Sequence, residues 1–239
     1  RQAFFGCDPT AGIQNGAPCL MTKRQPKLSL CMIVKNEQRW LEDCLNSVKE
    51  LVDEMIIVDT GSRDKTVEIA EGFGAKVFHH PWNGDFSEAR NHSLGYATGD
   101  WILVLDADEK LAQRDAKLIR HLMAGTQVDG FLLTQRSYLW NARVVSSTPN
   151  PQDYDEGREY THCLEVWVLR LFRNQPEIRF RGRVHELVEH VFLERHLPFE
   201  KASPVIHHFG KVGDTEALER NRTLYLELGR QKALEEPNQ

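Results

Sequence analysis

The sequence predicts an α/β fold in which a mixed, mainly parallel central sheet is flanked by helices, followed by a β-rich second half and a closing helix. Three observations predict it. Over the first half of the 239 residues, apolar runs of strand length alternate with stretches that repeat at helical spacing. The most apolar run, Trp101-Ile102-Leu103-Val104-Leu105, is continuous rather than alternating, as a strand covered on both faces requires. A hydrophobic content of 41%, with 30 basic against 35 acidic residues, matches ordinary globular domains and excludes disorder, collagen and coiled coil.

The elements follow in order. Residues 1–26, rich in Gly, Pro, Gln and Asn and without periodicity, read as an irregular segment, with the first methionine, Met21, as an alternative start. A strand is predicted at Leu28 to Val34, then a helix with Trp40, Leu41, Cys44, Leu45 and Val48 on one face. A second strand, Met55 to Val58, passes through Asp59-Thr60-Gly61-Ser62 into a helix carrying Val67, Ala70 and Phe73, and a third strand covers Ala75 to Phe78. Asp85 is the expected N-cap of the next helix, with Glu88 as its capping-box partner and Phe86, Ala89, Ser93 and Leu94 inward.

The apolar strand at Trp101 ends abruptly in Asp106-Ala107-Asp108-Glu109, and a helix is expected from about Ala112 to Ala124. Beyond it the pattern turns mostly β, with strand-like segments at Phe131 to Leu139, Leu164 to Phe172 and Val184 to Leu193. The polar, proline-containing stretch from Asn141 to Thr161 reads as a long loop acting as a lid. A charged helix from Asp214 to Leu234, with Ala217, Leu224 and Leu228 inward, closes the chain before Pro237.

A chain of this length buries roughly 70 to 75% of its unfolded surface, enough for a core without staples. Five cysteines, an odd count without a Cys-x-x-Cys pair, fit reduced core thiols better than a disulfide framework or a zinc site, and Cys31 and Cys44 read as core filler. No apolar stretch approaches the roughly 20 residues of a membrane span, and Arg1-Gln2-Ala3 opens no signal peptide. The expected location is therefore cytoplasmic, including the inner face of the membrane. The net charge of −5 argues against nucleic acid as a partner.

Asn36, Glu37, Asp59, Asp106 and Asp108 all fall at the carboxyl ends of predicted strands, where open parallel sheets bind ligands. Each alone has a second reading as a cap or turn residue. Asp106 and Asp108, one residue apart, project to the same side and can share a ligand. Two hard oxygen donors without a full protein cage suit magnesium or manganese, with a nucleoside diphosphate completing the shell. An apolar strand ending in Asp-x-Asp also fits an aspartyl-phosphate phosphatase, although Lys110 stands where such enzymes usually place Thr.

Four stretches carry a resemblance: Cys31-Met32-Ile33-Val34-Lys35-Asn36-Glu37, Val58-Asp59-Thr60-Gly61-Ser62-Arg63-Asp64-Lys65-Thr66, Asp85-Phe86-Ser87-Glu88-Ala89-Arg90-Asn91 and Leu105-Asp106-Ala107-Asp108-Glu109. In this order they resemble the family 2 glycosyltransferases of the GT-A, Rossmann-like fold, from roughly Lys27 to Pro237. Leu169-Arg170-Leu171-Phe172-Arg173, Gly182-Arg183-Val184-His185-Glu186 and His208-Phe209-Gly210 resemble one branch, which includes enzymes linked to tetratricopeptide arrays, peptide glycosyltransferases and lipopolysaccharide-core transferases. The resemblance divides the chain into a GT-A domain over 27–213, with a nucleotide-binding half (27–125) and an acceptor-side half (126–213), and a helix at 214–239 leading into a repeat region.

The resemblance implies an inverting, metal-dependent hexosyltransferase of bacterial type that moves a sugar from a nucleoside-diphosphate donor to a glycan, lipid-linked glycan or peptide. The divalent cation is manganese or magnesium. Asp59 would accept from the nucleobase, with a uridine-diphosphate sugar as the first expectation, and Val34, Asn36, Glu37 and Ala107 would line the donor pocket. Arg90 would meet the diphosphate, or else form a surface ion pair. Asp106 would hold the ribose or the metal, and Asp108 the metal.

Ile206 and His208 share a strand face opposite His207, so one of these histidines can reach the metal; the resemblance chooses His208, which otherwise is a structural residue. Glu186 would be the base, beside His185 and Arg183 on the acceptor side. Arg179, Arg181 and Arg183 alternate as the stripe of a strand, solvated or facing an anionic acceptor. Trp140 and Tyr138 would stack a sugar or pack a rim. A domain that keeps the nucleotide pocket but serves only as a scaffold is the non-catalytic alternative.

Overall fold

The computed structural model describes residues 24–142, 144–212, 219, 223 and 226–230. Strands β1 (Leu28–Val34), β2 (Glu54–Asp59), β3 (Lys76–His79) and β4 (Trp101–Val104) alternate with helices α1 (Leu41–Val48), α2 (Thr66–Gly72) and α3 (Phe86–Tyr96). Then come β5 (Glu109–Leu111), α4 (Gln113–Met123), β6 (Gly130–Leu139), the two-residue β7 (Thr148–Pro149), β8 (His162–Arg173), α5 (Glu189–Arg195) and β9 (Phe199–His208). The sheet runs β3-β2-β1-β4-β8-β6-β9-β5, with β7 on β8. Its first four strands are parallel, β8 is antiparallel to both β4 and β6, and β9 is parallel to β6 and antiparallel to β5. This is the mixed, mainly parallel sheet that the sequence predicts.

Period two sorts the central strands between two cores. Leu28, Leu30, Met32, Val34, Trp101 and Leu103 pack with Leu41, Leu45 and Val48 of α1 and Ile119 and Met123 of α4. The alternate residues Cys31, Ile102 and Val104 pack with Leu94 of α3 and Val191 and Phe192 of α5 on the other face. Both faces are thus apolar, which is why β4 reads as an unbroken hydrophobic run. Cys31, Cys44 and Cys163 are buried free thiols. Among the described residues no helix is long and apolar enough to cross a membrane.

Asp85 caps α3 as expected, its carboxylate accepting from the Glu88 N–H at 3.1 Å. The capping box is only half made, because the Glu88 side chain accepts instead from Asn83 Nδ2. The expected strand at Val184 to Leu193 is not formed. Arg181 and Leu187 make a single bridge, and Glu189–Arg195 is helical, because Val188, Val191 and Phe192 at helical spacing bury one face in the second core. The arginine stripe disappears with the strand: Arg179 donates to the carbonyls of Gln175 and Ile178, while Arg181 pairs with Glu194 of α5.

The long loop is no unfastened lid. The Asn150 amide donates to the carbonyls of Gly157 and Tyr160, Arg136 pairs with Asp153, and the Tyr138 hydroxyl donates to the Glu156 carbonyl. Gly157, at φ +71°, lies so close to Tyr138 that a Cβ would come within 2.2 Å of its ring. The expected closing helix lies largely outside the described residues, Ala217 and Leu224 included; Leu226, Glu227, Leu228, Gly229 and Arg230 are helical, with Leu228 buried.

Candidate active site

The carboxyl ends of β1, β2 and β4 open into one crevice. At its rim Asn36, in the left-handed region at φ 58°, accepts from the Arg63 N–H through Oδ1 and donates its own N–H to Ser62. The Glu37 N–H donates to Thr66 Oγ1 at 2.7 Å. The loops after β1 and β2 are thereby laced together. Asp59, buried, accepts from the N–H groups of Gly61 and Ser62 at 3.1 Å and lies 3.5 Å from His79, so its carboxylate shapes its own turn. Val34 presents neither its side chain, which is in the core, nor its carbonyl, which accepts from Thr60. Ala107 likewise buries its methyl group in the core.

Glu37 reports how tightly the acids converge. Burial first, and then the nearby charges of Asp108, Asp106 and Asp64, push its carboxyl up to about 8. Asp106 behaves oppositely. Against the penalty of burial, Arg90 and Arg170 hold it well below the usual carboxylate range, with Arg90 Nη2 at 2.7 Å from Oδ1 and Arg170 Nη2 at 3.1 Å from Oδ2. Each oxygen of Asp106 thus meets a guanidinium, and each keeps a second lone pair for a ligand. The same pairing disfavours Asp106 as a phosphatase nucleophile.

Arg90 is no surface ion pair. It is 6% exposed, and its Nε donates to Glu186 Oε1 at 2.5 Å while Nη2 holds Asp106. The remaining Nη1 of Arg90, like that of Arg170, is buried without a hydrogen-bond partner. Neighbouring Asn91 serves structure, bonding both the N–H and the carbonyl of Phe180. Arg183 offers its carbonyl to the N–H of Phe86 at the start of α3, and His185 is exposed at φ 55°.

On the other side of the Asp-Ala-Asp turn, Asp108 Oδ2 lies 3.4 Å from His208 Nε2, and His208 Nδ1 is 2.7 Å from Ser137 Oγ. His207 points away, into a buried contact with the Tyr138 hydroxyl. A Cβ at Gly210 would come within 2.2 Å of Asp108 Oδ2 and 2.6 Å of His208 Nε2, so glycine keeps this oxygen and nitrogen clear of their own backbone. An imidazole nitrogen beside a carboxylate oxygen is a donor pair that a divalent cation can accept. Among the described residues there is no group of three or more His, Cys, Asp or Glu side chains arranged to hold a metal, so Asp108 and His208 would leave most of a cation's shell open.

Reading the sequence missed Arg170, Gln135 and the role of Glu109. Glu109 is 1% exposed; its Oε2 accepts from the Asp106 N–H at 2.8 Å and its Oε1 accepts from Gln135 Nε2. A cleft of about 160 Å³ beside Asp108 is walled by Trp40, Tyr160, Phe209 and Lys110. Trp140 is 57% exposed and edge-on to Tyr160, whereas Tyr138 is fully buried with its hydroxyl engaged and stacks on no sugar. A larger cavity of about 330 Å³, around Lys27, Glu54, Lys76 and Thr98, opens at the amino ends of the strands and contains none of these residues.

The profile of glycosyl transferase family 2 matches residues 29–190. A TPR repeat-containing protein of Synechococcus elongatus is 42% identical over 191 residues, 77% of this chain and 42% of that protein. The chain spans about two fifths of the length of the curated relatives it matches. Among solved structures, S. aureus TarS 1–349 in complex with UDP-GlcNAc superposes with a TM-score of 0.56 at 17% identity, over 79% of this chain and 60% of that one. The mannosyltransferase PcManGT of Pyrobaculum calidifontis, in complex with GDP-Man and Mn2+, gives 0.55 at 16% identity, over 89% and 65%. These likenesses establish the GT-A type of fold.

Proposed function

The chain belongs to glycosyl transferase family 2, and from that premise we propose that it transfers a hexose from a nucleoside-diphosphate sugar to a hydroxyl or other nucleophile of its acceptor, with inversion and with a divalent cation. The observation that supports this most directly is the Asp-Ala-Asp turn. It joins the Arg90–Glu186 pair on one side to the Asp108–His208 pair on the other, bringing residues from both halves of the chain to one crevice. The nucleotide complexes of TarS and PcManGT support the same donor chemistry.

In this reading Asp59, Asn36 and Glu37 face the nucleoside. Asp108 and His208 would hold the cation, which neutralises charge on the departing diphosphate. Arg90 offers Nη1, its one nitrogen without a partner, to a diphosphate oxygen. Arg90 engages Oε1 of Glu186, so Oε2 is the atom that takes the acceptor's proton. As it does so, the acceptor oxygen bonds to the anomeric carbon, and the carbon–oxygen bond to the diphosphate breaks with its electron pair leaving on phosphate. The boundaries of the GT-A domain at 27–213, Trp140 with Arg183 and His185 on the acceptor side, and a tetratricopeptide region after the closing helix belong to the same proposal; the name of the Synechococcus relative supports the last.

The test is a panel of nucleoside-diphosphate sugars with manganese and candidate glycan, lipid-linked and peptide acceptors, reading release of nucleoside diphosphate together with the glycosylated product. Transfer from one donor, lost in D108A, is expected. Transfer undiminished in D108A refutes the site.

A further inference from the structure

We propose that Arg170 is a positioning residue of this site: through Asp106 it fixes the guanidinium of Arg90 and, through that, the carboxylate of Glu186. The proposal rests on the reading of Glu186 as the base. Arg170 lies on β8 between Leu169 and Leu171, both buried, and its own side chain is 14% exposed. The antiparallel register that sets Leu171 opposite Leu103 brings Arg170 level with Val104, the last residue of β4 and two positions before the Asp-Ala-Asp turn. Its Nη2 there lies 3.1 Å from Asp106 Oδ2 and 3.8 Å from Glu109 Oε1.

Two carboxylates share this place, because Glu109 is locked to the Asp106 N–H at 2.8 Å. Buried side by side, they repel unless a cation stands between them. Arg90 holds Asp106 from one side through Oδ1, and Arg170 is the cation on the side of Glu109. Asp106 cannot rotate while both arginines hold it, and Arg90 is then fixed at two donors, Nη2 by Asp106 and Nε by Glu186. Without Arg170, Oδ2 loses its partner, Glu109 is left with an uncompensated charge, and the orientation of Arg90 is no longer determined.

The test has one arm that needs neither donor nor activity. In the nitrogen-15 spectrum of the protein, the Nε–H of Arg90, assigned by its disappearance in R90K, exchanges slowly with water. In R170M that exchange accelerates at least tenfold, and R170K partly restores it. In the second arm kcat of R170M falls 10- to 100-fold, and the Kd for nucleoside diphosphate with manganese weakens by less than in R90K, which removes Nη1 itself. Unchanged exchange, unchanged kcat, or a nucleotide affinity that falls as far as in R90K, as for a direct diphosphate ligand, overturns the proposal. If R170M fails to fold by circular dichroism, R170Q replaces it in both arms. A wild-type protein without transfer counts against the proposed function, and the exchange arm still decides whether Arg170 positions Arg90.

Discussion

Arg90 Nε and Glu186 Oε1 are 2.5 Å apart although 96 positions separate the two residues, and the same guanidinium holds Asp106 through Nη2 at 2.7 Å. One buried cation therefore joins the helix after β3, the turn after β4 and the loop before α5. If Glu186 takes the acceptor's proton, E186Q keeps the shape and loses the base. We expect kcat to fall roughly 10²- to 10⁴-fold, with nucleotide affinity within about threefold of wild type. Steady-state rates beside calorimetric titration of the nucleotide check this, and a rate within tenfold of wild type removes Glu186 from that role.

Gly210 gives a prediction about the opposite pair. A methyl group there must displace Asp108 Oδ2 or His208 Nε2, at 2.2 and 2.6 Å. G210A should retain its circular dichroism and lose at least tenfold in manganese-dependent nucleotide affinity. Affinity equal to wild type would mean that this pair holds no metal.

Stability at low pH should report Glu54, far from the crevice. Burial works against its charge, but hydrogen bonds from Ser29, Lys76 and the backbone and hydroxyl of Thr98 bring its carboxyl down to about 2, from about 4.3 in an unfolded chain. A depressed folded value contributes stability above the unfolded one, lost as pH falls from about 4.5 towards 2. Urea unfolding of wild type and E54Q should differ on the order of 1–2 kcal/mol at pH 7, narrowing steadily below pH 4.5. A gap that stays constant down to pH 3 would show that the charge is not what stabilises.

Much of this architecture was legible because it rests on short-range rules. The nearly unbroken apolar runs of β1 and β4 follow from burial on both faces, and the Asp85 cap from an orphaned N–H at a helix start. The helix at Glu189–Arg195 was legible in the spacing, since Val184, Leu187, Val188, Val191 and Phe192 follow i, i+3, i+4, i+7 and i+8, and a strand assigned on apolar content alone overlooks that period. Arg170 escaped notice for a different reason. An arginine alternating with leucines reads as the solvent side of a strand, and its partner Asp106 lies 64 positions away. The fastenings of the long loop to Tyr138 and Arg136 were not legible, because they are made by side chains on β6. The acids at the strand ends were visible individually; that Asp106 is occupied by arginines while Asp108 meets His208 was not.

The most direct test of the central claim is calorimetric titration of nucleoside diphosphates into wild-type protein and D108A, with manganese and then with chelator. Binding of one nucleotide that needs manganese in the wild type, and that is lost or weakened at least tenfold in D108A, is the predicted result; the bound complex should also unfold later, by about 2.7 kcal/mol at 100 times its Kd. Binding that is equally tight with chelator, or unchanged in D108A, would contradict the claim that Asp108 and His208 join a cation to the donor diphosphate.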